Sequence, residues 1–167
     1  MSEEKFELAP RVVAALAARE LTLSAAESCT GGWFSKSIVD VSGASAVFPG
    51  GVVSYASEVK AELLGVGREN LDRYTAVSAP VCREMAEGVR RLMHTDLAVS
   101  VTGLAGPGGG SEEIPVGRVF IGLADRDATK VYTYRFDGPR DAVRRAAVEE
   151  MQRLLLLHIE NQGQGDK

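Results

Sequence analysis

Helical and strand-type hydrophobic patterns interleave along this chain, and two glycine-rich segments each follow a strand pattern directly. Apolar residues recur with helical spacing at Val12, Val13, Leu16 and Ala17, which predicts a helix over 8–18. A strand over 21–26, a helix over 31–41 with Phe34, Ile38 and Val41 on one face, and a strand over 51–55 after Pro49-Gly50 come next. A short helix over 58–64 is closed by Gly65. Another over 78–93 has Ser78 placed as N-cap and Pro80 in its first turn. The run 97–101 lacks polar alternation, as a central strand buried on both faces should. Residues 118–124 and 130–136 read as a hairpin across Asp125-Arg126-Asp127, and 140–159 as the last helix. This order predicts a single-domain layered α/β/α sandwich, and the late hairpin makes its sheet mixed. The domain is expected over 1–160, with a polar, disordered tail over 161–167.

Composition removes several function classes. At 167 residues the chain can bury ~70% of its unfolded surface without a metal or disulfide. No apolar run reaches the ~18 residues of a membrane span. The acidic start, Met1-Ser2-Glu3-Glu4, is not a secretory leader, so a cytoplasmic protein is expected. Lys and Arg total 19 against 23 Asp and Glu, a net charge of −4, the wrong balance for a general nucleic-acid binder. Neither nucleic acid nor membrane is an expected partner. Cys29 and Cys82 have no zinc spacing, and only His94 and His158 could join them, so no metal site is expected and both thiols read as free.

The chemistry concentrates in the glycine-rich segments. Ala26-Glu27-Ser28-Cys29-Thr30-Gly31-Gly32 lies between a strand and a helix, where α/β proteins place ligands against the positive end of a helix. Thr102-Gly103-Leu104-Ala105-Gly106-Pro107-Gly108-Gly109-Gly110 follows the central strand pattern. Neither fits a P-loop or a dinucleotide fingerprint, so a phosphorylated ligand fits but ATP or NAD binding is not indicated. On spacing alone Ser28 and Thr30 read as helix caps at least as readily as catalytic groups, and the glycines as turn formers. Arg140 and Arg144 lie one helical turn apart and share a face. They read either as a solvated basic face or as a phosphate contact.

Taken together, the segments resemble the CinA C-terminal-domain family. The resemblance rests on Ala26 to Gly32, on Ser54-Tyr55 followed by Lys60, and on Leu63-Leu64-Gly65-Val66. It extends through Thr102 to Pro107 with Gly109-Gly110, Pro115-Val116-Gly117, and Gly138-Pro139-Arg140 with Arg144. These come in the family's order and cover nearly the whole chain. The resemblance implies an amidohydrolase that converts nicotinamide mononucleotide to nicotinic acid mononucleotide and ammonia. It also implies the stand-alone form, without the extra N-terminal domain of longer members. Ala56-Ser57 and Ile114 depart from the family's usual Ser-Asn and Lys.

Carried onto this chain, the resemblance implies Ser28 as nucleophile, Lys60 as its general base and Tyr55 as a hydroxyl relay or substrate contact. Substrate binding falls to Thr30, Gly31, Gly32, Thr102, Gly103, Gly106, Arg140 and Arg144; from their place at the helix start, the amides of 30–32 read either as oxyanion donors or as plain caps. No cofactor is implied, and a small-molecule nucleotide substrate and a homo-oligomer, a dimer, are expected. A lysine base must be buried, because only the neutral amine accepts a proton. Of the five lysines, Lys5 and Lys167 are terminal, Lys130 begins a strand and Lys36 lies in a helix, which leaves Lys60. Without the resemblance, an exposed helical Lys60 paired with a glutamate is the plainer reading. A non-enzymatic nucleotide-binding module and an amidase of another substrate are the alternatives.

Overall fold

The computed structural model describes residues 6–162. The elements run α1 (Ala9–Ala18), β1 (Leu23–Glu27), α2 (Trp33–Val39), a 3-10 turn (Ala44–Ala46), β2 (Gly50–Val53), α3 (Ser57–Leu64) and α4 (Arg68–Tyr74). They continue with α5 (Ala79–Met93), β3 (Leu97–Gly103), β4 (Arg118–Ala124), β5 (Thr129–Arg135) and α6 (Arg140–Gln162). The five strands form one sheet in the order β2-β1-β3-β4-β5. β1 pairs in parallel with both β2 and β3, and the β3-β4-β5 meander is antiparallel. The expected mixed sheet is therefore present. Asp125 shapes the hairpin by accepting from the amides of Asp127 and Ala128, both at 2.8 Å.

Every residue of β1 is buried, as befits a strand flanked by neighbours and covered on both faces. Leu23 and Ala25 face a core built with α1, α2 and α6. Ala26 faces a second core with Leu64 of α3 and Val81, Met85 and Val89 of α5. These two cores make the three-layer sandwich. From β1 the chain moves outward to β2 on one side and returns to β3 on the other. Strand order thus reverses at the carboxyl ends of β1 and β3, the crevice where open α/β sheets bind ligands.

Three differences from the sequence reading have local causes. α4 was not expected: it buries no residue, so it lacks the apolar stripe that marks a helix in sequence. Ser78 precedes α5, but its hydroxyl donates to the Thr75 carbonyl at 3.0 Å instead of capping the helix. α6 continues to Gln162, so 161 and 162 of the expected tail are helical; 163–167 lie outside the described residues. No helix among the described residues is long and apolar enough to cross a membrane.

Candidate active site

Ser28 is the first residue beyond β1, and its amide donates to the Val101 carbonyl of β3 at 3.1 Å. It therefore sits at the point where strand order reverses. Gly31 and Gly32 turn the chain into α2 with φ of 61° and 94°, a region that residues with a Cβ seldom enter. On the other side of β1, α3 starts just after β2 and carries Lys60 inward. Gly65, left-handed with φ 70°, ends this helix, and the Val66 amide closes it on the Lys60 carbonyl at 3.1 Å.

Lys60 is fully buried (0% exposed). Its Nζ donates to Ser28 Oγ at 3.0 Å and to the Ser54 carbonyl. The exposed, glutamate-paired reading of Lys60 is therefore overturned. Burial lowers its pKa from the ordinary value of 10.5 to about 8, because an ammonium loses hydration that one serine and one carbonyl do not fully replace. A neutral amine is then accessible near physiological pH. Neighbouring Cys29 is buried too, and burial pushes its thiol up to about 12. It is a neutral packing residue beside Ser28, without the thiolate a nucleophilic cysteine needs.

Tyr55 points the other way from Ser54 and is 66% exposed. Its hydroxyl meets Arg140 Nη2 at 3.3 Å, and Lys60 reaches Ser28 directly, so a proton relay through Tyr55 is not part of this geometry. Arg140, exposed at the start of α6, also donates to the Gly106 carbonyl at 2.8 Å. One side chain thus joins the loops after β2 and β3 at the rim of the site.

Several expected substrate contacts are occupied within the protein. The Thr30 hydroxyl donates to Glu27 at 2.6 Å and the Thr102 hydroxyl to the Ala76 carbonyl at 2.7 Å. The Gly31 amide donates to the Ser28 carbonyl at 3.1 Å and the Gly32 amide to Glu27 at 3.1 Å, which removes both as oxyanion donors. The Thr30 amide makes no internal hydrogen bond among the described residues. Gly103 serves packing, since a Cβ there would lie 2.8 Å from the Arg118 carbonyl. Arg144 was expected with Arg140 among the substrate-binding residues, at least one of them on phosphate. It instead donates to the Cys29 carbonyl at 3.0 Å and the Thr30 carbonyl at 3.1 Å, pairs with Asp141 at 3.3 Å and lies over the Trp33 ring. Its guanidinium is committed to the turn that carries Ser28.

The sequence reading missed two contributors. Glu27 was quoted only as part of a motif, yet its buried carboxylate gathers the start of α2; a carboxylate directly before a strand-to-helix turn was the available signal. Gly88 of α5 had no signal, because only the packing of α3 against it shows why it lacks a side chain. A Cβ at Gly88 would lie 1.9 Å from the Leu64 carbonyl.

The chain that holds this serine against a buried lysine matches the CinA C-terminal domain model over residues 5–159. The chain belongs to the CinA C-terminal domain family. Among curated members it is 49% identical over 146 residues to a nicotinamide-nucleotide amidohydrolase PncC of Shigella flexneri, covering 86% of this chain and 88% of that protein. It is 47% identical to the protein of the same name from Enterobacter agglomerans, covering 96% of this chain and all of the other. A CinA-like protein of Geobacter sulfurreducens is 55% identical over 124 residues, but this chain spans only 30% of that longer member. The fold agrees: a CinA superfamily protein of Klebsiella pneumoniae superposes with a TM-score of 0.91 at 33% identity, covering 95% of this chain and 99% of the other. A competence/damage inducible protein of Agrobacterium tumefaciens gives a TM-score of 0.90 at 36% identity, covering 96% and 99%.

Proposed function

We propose that this chain hydrolyses the carboxamide of nicotinamide mononucleotide to a carboxylate and ammonia, with Ser28 as nucleophile and Lys60 as base. The observation that carries the reading is the 3.0 Å contact between Lys60 Nζ and Ser28 Oγ inside a buried site. The substrate class rests on the amidohydrolase relatives that match over most of both chains. Neutral Lys60 takes the Ser28 proton as Oγ adds to the amide carbon. The amide oxygen becomes an oxyanion, for which the Thr30 amide is a suitable donor. The Lys60 ammonium then protonates the leaving nitrogen, ammonia departs and an acyl-serine remains. Lys60, neutral again, activates the water that releases the acid. The Ser54 carbonyl holds the amine throughout, so its lone pair stays directed at Ser28. Arg140, exposed at the rim, is our candidate to meet a phosphate, for which its planar fork is suited.

The test is ammonia release by the purified protein from nicotinamide, its riboside, its mononucleotide and the dinucleotide NAD. The mononucleotide should be preferred. Release from none of the four would point to a nucleotide-binding module, and preference for another amide would reassign the substrate.

A further inference from the structure

Glu27 is fully buried and has no basic side chain as its partner among the described residues. A buried carboxylate is costly unless its lone pairs are met. Here they are met by the chain just ahead of it. Oε2 accepts from the Thr30 hydroxyl at 2.6 Å and from the amides of Gly32 and Phe34, both at 3.1 Å. Oε1 accepts from the Ser35 amide at 2.8 Å and its hydroxyl at 2.6 Å. The residue at the N-cap of α2 is Gly32, which has no side chain to cap with, so Glu27 does this from five positions back.

The placement does more than start a helix. The donors run from 30 to 35 and the acceptor is 27, so the turn containing Ser28 is closed upon itself. Arg144 grips the same turn by the carbonyls of Cys29 and Thr30, while the Gly32 amide goes to the carboxylate. The Glu27 main chain also accepts from the Ser54 amide at 2.7 Å, and the Ser54 carbonyl holds Lys60. Glu27 thus adjoins the nucleophile by a covalent bond and the base's anchor by one hydrogen bond.

We propose that Glu27 is a positioning residue for the reaction: its carboxylate fixes the turn so that Ser28 Oγ stands within reach of Lys60. The proposal rests on the reading of Ser28 as nucleophile. Displacing a reacting group by about 1 Å can lower rates ~100-fold, so the effect belongs in turnover and not in substrate affinity.

Glu27→Gln keeps the shape but turns an NH2 toward groups that are themselves donors. The experiment compares it with wild type by kcat and KM for ammonia release from the mononucleotide, by thermal unfolding, and by the rate at which a fluorophosphonate labels Ser28, read by intact mass. Expected is a ~10–100-fold fall in kcat, a parallel fall in labelling rate and a nearly unchanged KM. A variant with lowered Tm but wild-type kcat and labelling would overturn the proposal, leaving the carboxylate a purely structural cap. Should Glu27→Gln not fold, Thr30→Val with Ser35→Ala removes two hydroxyl donors and keeps the charge. Slower labelling of that double variant supports the proposal, and wild-type labelling overturns it. Wild-type protein that is labelled at Ser28 but releases no ammonia defeats the substrate assignment while leaving this test intact. Wild-type protein that is not labelled at Ser28 defeats the nucleophile and the proposal together.

Discussion

Lys60 Nζ lies 3.0 Å from Ser28 Oγ although 32 residues separate them and they stand on different elements. One follows β1 and the other projects from α3, which lies beyond β2. The contact forms because α3 packs its Leu64 end against Gly88 of α5, which brings Lys60 down over the carboxyl end of β1.

The first prediction follows from the burial of Lys60. With a pKa of about 8, kcat/KM should rise with pH along a limb centred near 8. Lys60→Arg should be as inactive as Lys60→Ala, because arginine stays protonated far above neutrality. Substantial turnover by Lys60→Arg would remove Lys60 as the base. The same group leaves a mark on stability. Its folded pKa lies below its unfolded one, so the unfolded chain binds more protons between about 8 and 10.5. Stability from this group therefore rises with pH across that window and is lost on descending through it. Lys60→Met should abolish that slope in denaturant titrations.

Ser28→Ala should fold with an unchanged circular dichroism spectrum and lose about 10³-fold or more in ammonia release. Cys29→Ser should keep most of the wild-type rate, since its thiol is buried and neutral. Full activity in Ser28→Ala would exclude an acyl-serine.

The two arginines of α6 should separate cleanly. Arg140→Ala is expected to shrink the preference for the mononucleotide over the riboside by ~10–100-fold, the scale of one lost charged hydrogen bond. Arg144→Ala should lower kcat while leaving that preference unchanged, because its guanidinium holds the Cys29 and Thr30 carbonyls. Equal loss on both substrates by Arg140→Ala would place the phosphate elsewhere.

Gly88→Ala tests the seating of α3. A methyl group cannot occupy a position 1.9 Å from the Leu64 carbonyl, so the helix must shift. Overpacking of this kind costs ~1–3 kcal/mol. We expect a lower denaturation midpoint together with a fall in kcat, since the shift moves Lys60 relative to Ser28. Unchanged kcat at a lowered midpoint would show that the Lys60 placement is independent of this contact.

Apart from α4, the order of helices and strands was legible from the sequence alone, as were the mixed sheet and the two glycine-rich loops that follow β1 and β3. They depend on local periodicity and on glycines at turns, and both act over a few residues. Thus 118–124 and 140 onward begin where the periodicity places them, and Gly65 ends α3 as its lack of a Cβ allows. Ser28, Lys60 and Arg140 were legible as candidates through the family pattern. Their geometry was not, because it depends on which strands become neighbours. Only the reversal of strand order between β1 and β3 sets Ser28 in a crevice, and only the close approach of α3 to Gly88 turns Lys60 from a helical surface residue into a buried amine. The same packing gave Thr30, Thr102 and Arg144 partners inside the protein. A hydroxyl or a guanidinium looks free in a sequence, and the fold decides whether a carbonyl reaches it before a ligand can.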